Sequence, residues 1–272
     1  MAIAIPISTP IVNAGIMYVN GLALTYVDTT HITVSAGAAR NQSDVNLTSA
    51  NSNFTNEADI VLPVSLYPNA ATAPVTINTA QQGAAGLDVG TIAINTLYAV
   101  YVIGDSYGIN PTSALLSLSF DAPSLPAAQQ GGYDMYRRIG AVLTDGSAHI
   151  LPFWQAYTGN GSGRTMYYDT GIEILTAGTS DTYAAVNCAA DVPSTGATIL
   201  FQVQLTPTAA GNTVNLRPTG DNSTEGLAIM SGDVAAVVHS DVIACPSSAL
   251  ASVDYKVTGS VNLFIKGYVD AL

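Results

Sequence analysis

The stretch Ala197-Thr198-Ile199-Leu200-Phe201-Gln202-Val203-Gln204-Leu205 sets Ile199, Phe201, Val203 and Leu205 on one side of an extended chain and Gln202 and Gln204 on the other. A period of two is the pleat of a β-strand with one face in a core and the other toward water or a neighbouring subunit. Val261, Leu263 and Ile265 alternate in the same way with Asn262, Phe264 and Lys266. The composition extends this reading to the whole chain. Only two lysines (Lys256, Lys266) and three glutamates (Glu57, Glu173, Glu225) occur in 272 residues otherwise rich in Val, Ile, Leu, Thr, Ser, Asn and Gly. Helix-forming charged residues are scarce and β-branched ones abundant, so the expected fold class is all-β.

Working outward, strands are expected over 165–175, 182–188, 197–205, 212–216, 227–230, 234–239, 253–257 and 260–269, the spacing of a sandwich. In the first half, Asn20-Gly21 between apolar runs predicts a hairpin, because a type I′ turn needs φ > 0 at both central residues. Strands follow at 31–34 and 60–64, and 91–104 is expected to pair with 115–120 through a connection over 105–111. Residues 36–53 read as a long loop or loose edge, and 79–90 as a flexible turn. The segment Thr158-Gly159-Asn160-Gly161-Ser162-Gly163-Arg164 is the most linker-like stretch of the chain. It predicts two domains, an N-terminal β domain over 1–157 and a C-terminal, jelly-roll-like β-sandwich over 165–272. The apolar start, broken by Pro6 and Pro10 and lacking a basic region, reads as an extended attachment arm suited to docking by strand addition.

Bulk numbers exclude some functions. Acidic residues outnumber basic ones 19 to 7, a net charge of −12, which repels nucleic acid and anionic membranes. No uncharged apolar run reaches the ~18 residues of a spanning helix, so no membrane insertion is expected. Cys188 and Cys245 lie on apolar strand-like segments, as buried free thiols or as a bridge between neighbouring strands.

Motifs for chemistry are weak. Gly104-Asp105-Ser106-Tyr107-Gly108 fits the G-x-S-x-G nucleophile elbow, but Asn110-Pro111 and a strand pattern follow where the elbow requires a helix. Gly159, Gly161 and Gly163 are spaced like a phosphate loop without its Lys-Ser/Thr. His31, His149 and His239 are solitary, and Asp221 to Glu225 lacks the ligand ladder of a calcium loop. The sequence therefore assigns no catalytic, cofactor-binding or metal-ligating residue.

One resemblance points to function. Tyr98 and Tyr101 on a strand, then Asp121-Ala122-Pro123-Ser124-Leu125-Pro126, Tyr133-Asp134-Met135-Tyr136-Arg137-Arg138-Ile139-Gly140 and Thr144-Asp145-Gly146-Ser147, resemble a β module recurrent in tailed-bacteriophage virion proteins, especially tail fibres, head fibres and minor structural proteins. Asn212 to Gly220 and the closing Gly267-Tyr268-Val269-Asp270 are similar to the module that often follows it. The resemblance covers roughly residues 90–272 and brings no catalytic residue with it. It implies a non-enzymatic virion protein made in the host bacterial cytoplasm and displayed on the particle, a capsid decoration, head fibre or short tail fibre. The expected partners are copies of itself in a homotrimer and phage capsid or tail proteins. Alternatives are a tail-tip receptor- or carbohydrate-binding protein contacting a host surface glycan, and a virion-associated esterase or glycosidase. Of the arginines, Arg137 and Arg138 are expected to split their roles, one stem packing outward and the other side chain pairing with an Asp such as Asp134 or Asp145 and so holding the turn. A receptor contact by the pair is the sharper alternative.

Overall fold

The structure is a computed structural model that describes residues 19–40, 59–62, 74–105, 110–125, 132–157, 163–194 and 197–272. Every regular element among them is a β-strand, and none is a helix able to cross a membrane.

Three small antiparallel sheets form the first part. One orders β1 (Val19–Gly21), β4 (Gly37–Arg40) and β5 (Asp59–Leu62) as β1-β4-β5, and another orders β2 (Leu24–Asp28), β3 (His31–Val34) and β6 (Val75–Asn78) as β2-β3-β6. The third, β8-β7-β9, is built from β7 (Leu97–Gly104), β8 (Ser113–Ser117) and β9 (Met135–Leu143). All eight residues of β7 are buried, because one of its faces packs into the main core and the other into a small cluster of Ala99, Tyr101, Ile103 and Leu115. The expected pairing of the segments on either side of 105–111 is present as β7 against β8.

Two expectations for this part are corrected. Asn20-Gly21 does not join hairpin partners: Val19–Gly21 pairs with β4, while β2 pairs with β3. Gly21 and Leu22 both have positive φ, 68° and 55°, but they carry the chain from one sheet to the next, and a Cβ on Gly21 would lie 2.3 Å from Ala36 O. The β2–β3 hairpin instead turns at Thr29-Thr30, where Asp28 Oδ1 accepts the Thr30 N–H at 2.8 Å. Gly37–Arg40, read as part of a loop or loose edge from its small residues, is strand β4, the middle strand of its sheet. The N-terminal arm and residues 41–53 lie outside the described residues.

The second part contains a five-stranded and a four-stranded antiparallel sheet. Their strands are β10 (Phe153–Tyr157), β11 (Gly163–Gly178), β12 (Ala184–Asn187), β13 (Thr198–Thr206), β14 (Asn212–Pro218), β15 (Ala228–Gly232), β16 (His239–Pro246), β17 (Ser252–Val257) and β18 (Ser260–Ala271). The sheet orders are β10-β11-β18-β13-β16 and β12-β17-β14-β15. Lettering β11 to β18 as B to I gives B-I-D-G and C-H-E-F, the jelly-roll arrangement of two Greek keys, with β10 added beside B.

Ile199, Phe201, Val203 and Leu205 of β13, with Val261, Leu263 and Ile265 of β18, are fully buried between the sheets, each contributing about 1.5–3 kcal/mol through apolar burial. Cys188 and Cys245 are free and buried in the same core. The strand expected at 234–239 is displaced, since regular pairing begins at His239 and matches Cys245 with Ile199 and Ile243 with Phe201. Ser240 and Asp241 hide the alternation at its start. The Gly-rich segment joins β10 to β11, which pair with each other, Phe153 opposite Tyr168 and Tyr157 opposite Arg164. One hydrophobic cluster runs continuously from Val19 to Leu272.

Candidate functional site

The sequence motifs resolve into turns and tethers. Ser106 lies outside the described residues, but Asp105 before it is buried and accepts both the backbone N–H and the side-chain amide of Asn110, each at 2.8 Å. The carboxylate closes the connection between hairpin partners, and the chain passes from β7 to a strand, β8. In Thr144-Asp145-Gly146-Ser147, Asp145 Oδ1 accepts the N–H groups of Ser147 and His149 at 2.8 and 2.9 Å. These bonds hold the Asp145 carboxyl below its ordinary range. Asp221 does the same for Ser223 N and Oγ, both at 2.9 Å. The Arg217 guanidinium lies over the Tyr183 ring, 3.6 Å from its centroid, and donates to Ser223 O and Asp254. That acidic loop is thus a clamped turn.

The three histidines lie apart. His31 bonds Asp28 through Nδ1 at 2.9 Å, His149 faces Asp145 at 3.7 Å, and His239 Nε2 on β16 is buried without a hydrogen-bond partner. No group of three or more His, Cys, Asp or Glu side chains able to hold a metal ion occurs among the described residues.

One of the two neighbouring arginines pairs with an aspartate, as expected, but with a distant one. Arg138 on β9 donates through Nη1 and Nη2 to Asp270 on β18, at 2.5 and 3.0 Å. Asp270 has no exposure at all. Arg137 is buried too, and burial, followed by the neighbouring Arg138 charge, pulls its guanidinium below its ordinary range. Burial of both side chains removes the pair from the surface where a receptor could touch it. Arg164, part of the linker-like motif, is buried and donates to Leu22 O at 2.6 Å, Ile139 O at 2.9 Å and Gly21 O at 2.6 Å. Tyr268 adds a hydroxyl bond to Ala141 O at 3.1 Å. Three buried polar side chains therefore sew β11 and β18 of the sandwich to β9 and to the β1–β2 connection. The sequence reading assigned neither Asp270 nor Arg164 this role, although both lie in motifs it singled out, because only the fold brings their partners within reach.

Two regions present exposed apolar or aromatic side chains. The first runs along the β15–β16 connection, where every residue from Asp233 to Val238 is exposed, and continues onto edge strand β16 through Val242 and Ala244. Ala236 N donates to Pro207 O at 2.8 Å, so this connection is held against the β13–β14 loop. The second is the outer face of the five-stranded sheet. Its register sets Trp154 opposite Tyr167, Tyr167 opposite Gly267, Gly267 opposite Leu200 and Leu200 opposite Ala244, a row across all five strands. The Trp154 and Tyr167 rings stack at 4.4 Å with an interplanar angle of 11°. The signal for Trp154 was present in the sequence: the sole tryptophan stands next to Phe153, and strand alternation must turn one of the two outward.

No protein-family model matches the chain, and no curated protein matches it.

Proposed function

We propose that this chain is a non-enzymatic structural protein that assembles with copies of itself and is displayed on a tailed-bacteriophage particle, as a capsid decoration, head fibre or short tail fibre. The observation that carries the assembly is the exposed run Val234-Ala235-Ala236-Val237-Val238 with Val242 beyond it. Val234, Val237, Val238 and Val242 are 54%, 49%, 58% and 58% exposed. Five consecutive exposed apolar residues leading into an edge strand is a surface that monomers rarely leave open and that closed symmetric assemblies cover. The occupant we assign is a second copy of this chain. Asp233 and Asp241 are the only charges in the stretch 233–246, so copies with a net charge of −12 meet where their mutual repulsion is smallest. Display on a phage is supported by the resemblance carried by the Arg-Arg-Ile-Gly and Thr-Asp-Gly-Ser runs, and a rigid, tethered β scaffold suits that role.

Light scattering of the purified chain tests the assembly. The wild type is expected to be multimeric, and Val238→Asp combined with Val242→Lys to be monomeric with an unchanged β-type circular dichroism spectrum. A monomeric wild type would reject self-assembly. Antibody-gold labelling of intact particles tests display. Label on the head supports decoration or a head fibre, label on the tail supports a tail fibre, and particles that carry no label reject display altogether.

A further inference from the structure

The two edges of the five-stranded sheet are finished in different ways. β10 is covered by the first part of the chain, where Leu24 N of β2 donates to Gln155 Oε1 on β10 at 2.9 Å. β16 ends the sheet on the other side, and no described strand lies beyond it. An edge of this kind carries a row of main-chain donors and acceptors that pairs readily with a strand of another molecule.

The register decides which of those groups face outward. β16 pairs with β13 without a slip from Thr198 opposite Pro246 to Leu205 opposite His239. Just beyond, Ser247 N donates to Ala197 O at 3.0 Å. Bonded and non-bonded pairs alternate along an antiparallel ladder. Counting back from Ala197 and Ser247, the odd-numbered residues of β16 bond to β13, and Ser240, Val242, Ala244 and Pro246 turn their main-chain groups to the open edge. Two of these positions offer no donor to an incoming strand. Pro246 has no N–H, and the N–H of Val242 already donates to Oδ1 of the preceding Asp241 at 2.7 Å.

The Asp241 side chain is a second obstacle. It lies on the same side of β16 as Ile243 and Cys245, the side turned toward the core, yet it is exposed because β16 is the last strand. A strand added there would extend the sheet over this carboxylate, withdraw it from water and compete for the Val242 N–H. Burying a charge in that way is costly. An inward-facing charge and a proline whose missing N–H would have pointed outward are both devices by which sheets resist edge pairing. The valines sit differently. Val242 points its side chain to the outer face and continues the exposed run from Val234 to Val238, so a partner covers it without touching the edge.

We infer that Asp241 and Pro246 close the β16 edge to strand addition, so that a second copy of this chain packs on the valine side chains and does not continue the sheet. The mode of packing rests on the self-assembly proposed above. The closure of the edge does not, because it is built from contacts within one chain.

The test uses the intact chain. Asp241→Val combined with Pro246→Val restores both outward donors and removes the inward charge. By light scattering this variant is expected to be about twofold heavier than the wild type or more, since an opened edge joins at least two molecules. In the wild type, site-resolved amide exchange is expected to be faster at Ser240 and Ala244 than at Ile243 and Cys245, which bond to β13. A folded double variant of the same mass as the wild type overturns the inference. Wild-type Ser240 and Ala244 amides protected as strongly as those of Ile243 and Cys245 also overturn it, since β16 would then already be paired with a strand. The exchange pattern is read on the wild type and decides the matter even where the double variant fails to fold. A monomeric wild type rejects the self-assembly reading and the packing mode with it, while the closure of the edge is still tested by the exchange pattern and by the gain in mass of the variant.

Discussion

Arg138 and Asp270, 132 residues apart in the chain, form a two-bond ion pair in which Asp270 is completely removed from solvent. Such a pair reports on how the protein is held together more sharply than the apolar core does, because burying a charge is costly unless its partner is present. The Phe120 ring lies 5.7 Å from the Arg138 guanidinium, and both partners of the pair are buried.

Asp270→Ala is therefore expected to cost about 3–5 kcal/mol in a urea titration. Arg138→Met combined with Asp270→Leu should recover most of that loss, since no uncompensated charge is left behind. A single-variant loss below about 1 kcal/mol would show that the seam does not depend on this pair.

Arg164 makes three main-chain bonds with one guanidinium. A lysine ammonium is a point donor that cannot span carbonyls from β9 and from the β1–β2 connection together. Arg164→Lys is expected to lower stability by about 1.5–3 kcal/mol, because at least one buried carbonyl loses its donor. An unchanged denaturation midpoint would contradict that account.

Gly267→Ala places a Cβ 2.0 Å from a backbone oxygen that no side-chain rotation can move. Strands β11 and β18 must separate locally, at a cost of about 1–3 kcal/mol. The expected readout is a lower melting temperature with faster amide exchange at Met166 and Tyr167. A melting temperature equal to that of the wild type would mean that the two strands part freely here.

Burial pushes the Cys188 and Cys245 thiols up to about 12 from an ordinary value of 9.0. Both should resist Ellman's reagent in the native protein at about pH 8 and react fully once unfolded. The sign of the linkage follows from the raised folded value: the stabilising preference for the neutral thiol is complete below pH 9.0 and is lost as pH rises toward about 12. Melting temperature is thus expected to fall across that alkaline window, and replacing both cysteines with alanine should flatten the fall.

The turn carboxylates act at the other end of the pH scale. The backbone N–H of Thr30, followed by His31, holds Asp28 at about 2, below its ordinary 3.8, and Asp145 and Asp221 shift the same way. With folded values depressed, their contribution is present above 3.8 and is lost as pH falls toward about 2. Amide exchange at Thr30, Ser147 and Ser223 should accelerate within that window before the core opens. Exchange that stays constant down to about pH 2 would show that the turns are held by other means.

The alternation of Ile199, Phe201, Val203 and Leu205 against Gln202 and Gln204 was enough to fix the strand, its buried face and the all-β class, because side-chain direction in a strand is a local property with a period of two. The same local rule marked β3, β14, β17 and β18. It failed where residues fit more than one setting: Asn20-Gly21 has the chemistry of a hairpin turn but serves a crossing between sheets, and Val234 to Val238 has the composition of a strand but stands in solvent. The jelly-roll order, the partner of Arg138 and the tether made by Arg164 were settled only by the tertiary structure. Each depends on which strands become neighbours, and that is decided by burying many faces at once over separations of a hundred residues or more. A periodicity says which side of a strand is wet, but it carries no information about what lies across from it.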